Sequence, residues 1–325
     1  MERRSNDTVR LTPRILEDGP ALTFDFPALR IGVAEYPEGP TGCTVFSFPD
    51  GVSAAVDVRG GSAGTIGTEG LRHGDGWLHA ICLAGGSSYG LEAATGVAAE
   101  LLAQTGYATG WQDIKAVSGA IIFDYRPRDN AIYPDKELGR AALRAARPGR
   151  FPLGPRGAGS SATVGKGFDF DQGERAGQGG AYRQIGPTKV AVFSVVNALG
   201  AIVDRQGRVV RGHLDRATGE RRHLHDDLAL RLARAEGGDP PPENTTLTVV
   251  ATNQRLTPRS LRQLARQVHA SMARAIQPFH ELNDGDTLYA VTTNEVANPA
   301  LGEAALGVVA SELAWDAVLS SVQES

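Results

Sequence analysis

The sequence predicts a single α+β domain built in four layers, helix, sheet, sheet, helix (αββα). Three observations carry that expectation. Short alternating apolar runs separated by Pro and Gly turns crowd the first sixty residues. Further runs of strand length follow as far as Thr293, with helical segments grouped before and after them. At about 150 residues per domain, a chain of 325 residues allows one large domain or two ordinary ones, and either buries a sizeable core.

Residues 1–20 are polar and contain Pro, which predicts a flexible N-terminal arm ahead of a domain spanning 21–325. Four runs follow, Leu22–Phe26, Ile31–Tyr36, Cys43–Phe48 and Ala54–Val58, with Pro37-Glu38-Gly39-Pro40 and Pro49-Asp50-Gly51 as turns; they predict an antiparallel meander. Leu78–Leu83 reads as a strand ending in Gly85-Gly86-Ser87-Ser88-Tyr89-Gly90, and a helix to about Tyr107 follows. That turn aims backbone N–H groups outward, so it either holds a carboxylate or simply packs a helix closely on a sheet. Ala116–Tyr125 is strand-like, Asp135–Ala146 helical, and 149–167 a Gly-rich loop.

Lys189–Leu199 is a strand with Asn197 at the end of its apolar run, and 202–210 is a hairpin. After the Gly- and Pro-rich tether 237–243, Thr245–Asn253 reads as a buried strand that opens on a hydroxyl. Thr257-Pro258 caps a helix to about Ile276, Leu288–Thr293 is a strand, and Pro299–Val322 is a final apolar helix that places Trp315 in the core.

Composition narrows the chemistry. Hydrophobic residues at 41% and charged residues at 22% are those of a globular enzyme, and 40 glycines without a fixed period indicate tight turns. A net charge of −4 and a pI near 6.0 argue against nucleic acid as a partner. Cys43 and Cys82 are too few for a disulfide framework and lack metal spacing, so a reducing, cytoplasmic setting is expected. Neither a signal-peptide core at the N-terminus nor an apolar run of membrane-spanning length is read, so no membrane partner is expected.

Ala162-Thr163-Val164-Gly165-Lys166-Gly167 lacks the Gly and Ser/Thr positions of a phosphate loop, so no nucleotide and no cofactor is expected. Lys166 stays of interest because glycines flank it, although such a lysine is commonly a solvated surface charge. His223, His225 and Asp227 alternate, but their Arg-rich setting favours a charged surface over a metal, and no metal is expected.

Asn244-Thr245 suits a self-cleavage in which the Thr hydroxyl attacks the preceding carbonyl and the freed α-amine becomes its base. That amine has a reference pKa of about 7.7–8.0, so part of it is unprotonated near neutrality. Asn197 is a candidate donor to an oxyanion, with turn capping as the commoner role of such an amide. Asp284 and Asp286 flank Gly285 at the mouth of a strand, where two carboxylates raise each other's proton affinity and orient a nearby amine; a plain turn is the alternative.

Taken together, 39–42, 83–91, Asn244-Thr245-Thr246, 276–280 and Asp284-Gly285-Asp286-Thr287 resemble the self-processing L-aminopeptidase/D-esterase/amidase family of N-terminal nucleophile hydrolases, and within it the nylon-oligomer (6-aminohexanoate-oligomer) branch. The likeness covers about 22–318. It implies cleavage between Asn244 and Thr245 into a large (1–244) and a small (245–325) subunit within one αββα unit, and assembly as a tetramer of such pairs. Thr245 is implied as the nucleophile, Lys166 as the supporting amine, Asn197 as the oxyanion donor, and Asp284 and Asp286 as the carboxylates.

Aminopeptidase members often carry Ser and Glu at the positions of Asp284 and Asp286, which favours amide oligomers as substrates here. Phe123 stands where some members have Tyr near the substrate carbonyl, which puts a second donor in doubt; Phe123 and Tyr89 are the pocket candidates. An exo-acting aminopeptidase or β-peptidase, and an unprocessed binding scaffold, are the alternative readings.

Overall fold

The strand runs are apolar on both sides because both faces of their sheets are covered. In the computed structural model, which describes residues 3–234 and 244–322, alternate residues of Thr188–Asn197 divide between two cores. Ala191, Phe193 and Val195 face one, while Val190, Val192 and Val196 face the other. Thr245–Gln254 divides likewise, with Leu247, Val249 and Ala251 on the first side and Val250 on the second.

Among the described residues, four helices supply the outer layers, α1 (Leu91–Gln104), α2 (Lys136–Arg144), α4 (Pro258–Ser271) and α5 (Glu303–Ser320), while α3 (Leu224–Ala233) buries no side chain. Helices α1 and α2 close one core against the strands Arg30–Tyr36, Thr41–Val58 and Gly76–Ala84. Helices α4 and α5 close another against Thr188–Asn197, Thr245–Gln254 and Thr287–Val296. The third core lies between the two sheet layers, where Phe193 meets Phe24, Phe46 and Phe151 at centroid distances of 5.4, 5.3 and 4.8 Å. The four layers are therefore those expected.

One strand joins the two sheet layers. Thr41–Val58 is a continuous strand of 18 residues whose first half pairs with Arg30–Tyr36 and whose second half pairs with Thr287–Thr292. The expected reversal at Pro49-Asp50-Gly51 is instead a bulge, because both halves pair with the same neighbour, Gly76–Ala84, and the register shifts between Ser47 and Val52. Gly51 adopts φ +75° there against the Trp77 indole.

Other elements also differ from expectation. The first strand is Ala21–Thr23 and pairs with Arg150–Pro152, outside the meander. Gln178–Ile185, which no sequence pattern marks because Gly179 and Gly180 interrupt it, forms an edge strand beside Thr188–Asn197. Trp315 is half-buried rather than in the core, its ring flanked by Arg205 and Arg274 while its indole N–H donates to the Val203 carbonyl.

Residues of the arm make specific contacts: the Asn6 amide bonds to Tyr133 and Asp135, and Arg14 bridges to Glu35. The tether 237–243 lies outside the described residues. No helix among the described residues is long and apolar enough to cross a membrane.

Candidate active site

Thr245 begins its strand at the centre of the ladder. It pairs with Asn197 across an antiparallel neighbour, and its strand runs parallel to Thr287–Val296 on the other side. Asn244 bridges to Asp284, so three chain segments converge on the Asn244–Thr245 bond. All of the polar side chains gathered here are buried: Lys166, Asn197, Asn244, Thr245, Asp284 and Asp286.

The Asn244 carbonyl is engaged from two directions. The Thr245 Oγ1 hydroxyl donates to the Asn244 carbonyl oxygen, and the Gly285 backbone N–H donates to the same oxygen at 2.9 Å. Sequence reasoning missed the Gly285 donor, since any residue type except Pro carries a backbone N–H. What makes Gly necessary at 285 is space: a Cβ there would lie 2.5 Å from Thr245 Oγ1.

Lys166 is no surface charge. Its ammonium donates to the Asn197 carbonyl at 2.9 Å, to Asn197 Oδ1 at 3.2 Å and to Asn244 Oδ1 at 3.0 Å. These acceptors offset a desolvation that would otherwise cost several kcal/mol. The Gly165 N–H donates to the Gly200 carbonyl and the Gly167 N–H to that of Leu199, which lays the Lys166 loop along the end of the Asn197 strand. Asn197 in turn accepts from the Thr163 N–H at 3.1 Å and donates through Nδ2 to the Phe123 carbonyl at 3.0 Å.

The two carboxylates take different positions. Asp286 accepts the Thr246 N–H at 2.7 Å through Oδ1, and through Oδ2 it accepts the His280 backbone N–H at 3.1 Å and the His280 Nδ1–H at 3.0 Å. Asp284 accepts the Glu281 N–H at 3.3 Å through Oδ2, while its Oδ1 is buried without a hydrogen-bond partner among the described residues. Burial, reinforced by the neighbouring Asp286 charge, pushes the Asp284 carboxyl up to about 8, so it is largely protonated at neutral pH. His280 belongs to the site although its position in the 276–280 motif assigned it no task. Its ring meets His269 edge-on at 4.4 Å, and His269 bonds to Asp57 at 3.0 Å.

Phe123 reaches the cluster through its carbonyl, whereas its ring packs on Tyr125. Tyr89 is exposed, stacks on Tyr133, and no hydrogen bond among the described residues joins it to Thr245, Lys166 or Asn197. The Gly-rich turn does hold a carboxylate, but it is the protein's own: Asp124 accepts from the Gly86 N–H, Thr41 and Arg128. His223 and Asp227 are engaged separately, with the Gly207 carbonyl and with Arg231.

Such a cluster, a threonine hydroxyl and an N–H on one carbonyl with an ammonium and two carboxyls around them, is equipped for acyl transfer. Comparison with known proteins agrees. The chain is 48% identical over 328 residues to the 6-aminohexanoate-oligomer endohydrolase of Agromyces sp. (strain KY5R), covering 97% of this chain and 90% of that one. It matches the protein of the same name from Paenarthrobacter ureafaciens to the same extent.

Among solved structures, the L-aminopeptidase D-Ala-esterase/amidase of Ochrobactrum anthropi, described as a variant of the Ntn hydrolase fold, superposes with a TM-score of 0.65 at 16% identity, covering 94% of this chain and 88% of that one. A Burkholderia sp. beta-aminopeptidase superposes at 0.62 with 18% identity and the same coverage. These two share the fold. The model of peptidase family S58 matches residues 21–325, and this chain belongs to that family.

Proposed function

We propose that the protein is an amide hydrolase that cleaves itself between Asn244 and Thr245 and then hydrolyses linear amides of the 6-aminohexanoate-oligomer type. The observation that carries this reading is the Asn244 carbonyl, which meets the Thr245 hydroxyl and the Gly285 N–H at once. In the first step Oγ1 adds to the Asn244 carbonyl carbon, and the Gly285 N–H holds the developing oxyanion. The C–N bond then breaks, the Thr245 nitrogen keeps its proton and gains the one lost by the hydroxyl, and the acyl group rests on Oγ1 as an ester. Water releases it.

The freed amine of Thr245 next serves as base for its own hydroxyl toward substrate. Asn197 and Lys166 line the space that Asn244 vacates, with Asn197 as the amide donor to the substrate oxyanion. Asp286 fixes Thr246 and thereby the threonine.

A Thr245→Ala variant tests the proposal. It is expected to remain a single chain of 34.2 kDa and to leave 6-aminohexanoate oligomers intact, while the native protein yields bands of about 26 and 8.5 kDa, the 244/325 and 81/325 shares of the mass. A native protein that stays whole after long incubation overturns self-processing. Oligomer hydrolysis by the variant overturns the choice of nucleophile.

A cytoplasmic setting belongs to the same proposal, supported by the buried free thiols Cys43 and Cys82. So does a homo-oligomer of processed pairs, supported by the exposed Tyr107, Trp111 and Ile114 beyond α1.

A further inference from the structure

A cleft of about 510 Å³ is walled by Phe168, Leu199, Leu224, Leu228, Pro278 and Glu281, among others. Its size falls within the ~300–1,000 Å³ of small-molecule sites. Three of these residues are tied to the candidate catalytic cluster. Phe168 lies two residues past Lys166, Leu199 lies two past Asn197, and the Glu281 N–H donates to Asp284. The segments that position the reacting groups therefore also build the cleft.

Its chemistry is asymmetric. Leu224 and Leu228 of α3, Leu199 and Phe168 form its apolar wall, His223, His225 and Gln277 add polar groups, and Glu281 brings a carboxylate with no ion pair or side-chain hydrogen bond to any described residue. An unpaired carboxylate beside apolar surface disfavours a carboxylate-ended ligand and favours an ammonium-ended one, while the apolar wall suits methylene groups.

Resting on the amide-hydrolase reading above, we propose that this cleft is the subsite for the acyl half of a linear ω-amino amide, with the aliphatic chain along Leu199, Leu224 and Leu228 and the terminal ammonium at Glu281. The subsite fixes the orientation of the substrate: the amino end enters the cleft and the carboxyl end leaves with the amine product. Glu281 is thus a specificity-determining residue, distinct from the groups that carry the acyl transfer.

The test uses processed enzyme and three probes, the linear 6-aminohexanoate trimer, its N-acetyl derivative and its C-terminal amide. The native enzyme is expected to prefer the free-ammonium trimer over the N-acetyl one by about fivefold in kcat/KM, the scale of a partly exposed charge pair, and to change little on C-terminal amidation. Glu281→Gln is expected to bring the ratio of the first two close to one, mainly through KM. Leu228→Lys, on an exposed helix face, is expected to depress the free-ammonium substrate more than the N-acetyl one. Two bands on a denaturing gel verify that each variant has processed.

An unchanged ratio in Glu281→Gln, or a native enzyme that hydrolyses both trimers equally, overturns the subsite and leaves amide hydrolysis standing. A processed native enzyme that hydrolyses none of the three overturns both.

Discussion

Gly285 shows how closely the residues around Thr245 are fitted. Its N–H donates to the Asn244 carbonyl alongside the Thr245 hydroxyl, and its missing side chain is the space that Thr245 Oγ1 occupies. Gly285→Ala is therefore expected to slow self-cleavage by at least tenfold while the chain still folds, read as persistence of the 34.2 kDa band with an unchanged circular-dichroism spectrum. Asp284 gives a pH prediction. Its folded-state pKa is raised to about 8, so it contributes stability fully below the ~3.9 of a free carboxyl, and that contribution is lost as pH rises through about 8. Self-cleavage, which precedes the release of any α-amine at Thr245, is expected to slow above that pH. Asp284→Asn cannot ionise and is expected to lack this alkaline limb in a pH series followed on gels.

At the scale of elements, caps and bulges decide where the functional residues land. The Thr257 hydroxyl accepts the Ser260 N–H and Pro258 opens α4, the helix that carries His269 toward His280. Thr257→Ala is expected to lower stability by about 1 kcal/mol in urea unfolding without changing the processed pattern. The Asp135 carboxylate caps α2 in the same way and also receives the Tyr36 hydroxyl, so it ties that helix to the sheet beneath it.

Caps of this kind are legible because a side chain and a backbone N–H three residues apart suffice to make them. The Pro49–Gly51 bulge is not, since a Pro-Asp-Gly sequence serves a turn or a bulge equally, and only the shared neighbour Gly76–Ala84 decides which forms. The same limit hid the strand Gln178–Ile185, whose glycines are acceptable where α5 and Phe151 pack closely on them.

Across the whole molecule, three cores separate four layers, and the one between the sheets is held by a cluster of aromatic rings around Phe193. Phe193→Ala is expected to cost about 3–5 kcal/mol in urea unfolding, through lost burial and the cavity left behind. The sequence by itself determined the layered class, the start of α4 and the residue types that gather around Asn244 and Thr245, because periodicity, caps and a hydroxyl after a Pro-rich tether are local signals, whereas the last helix opens at Glu303 and not at the expected Pro299. Only the tertiary structure decided that Lys166 is buried on Asn197 and Asn244, that Gly285 and His280 join the cluster, and that Phe168, Leu199 and Glu281 share a cleft. The physical reason is distance along the chain. Lys166 and Asn244 lie 78 residues apart, and their contact depends on strand pairing and register, which no local pattern encodes.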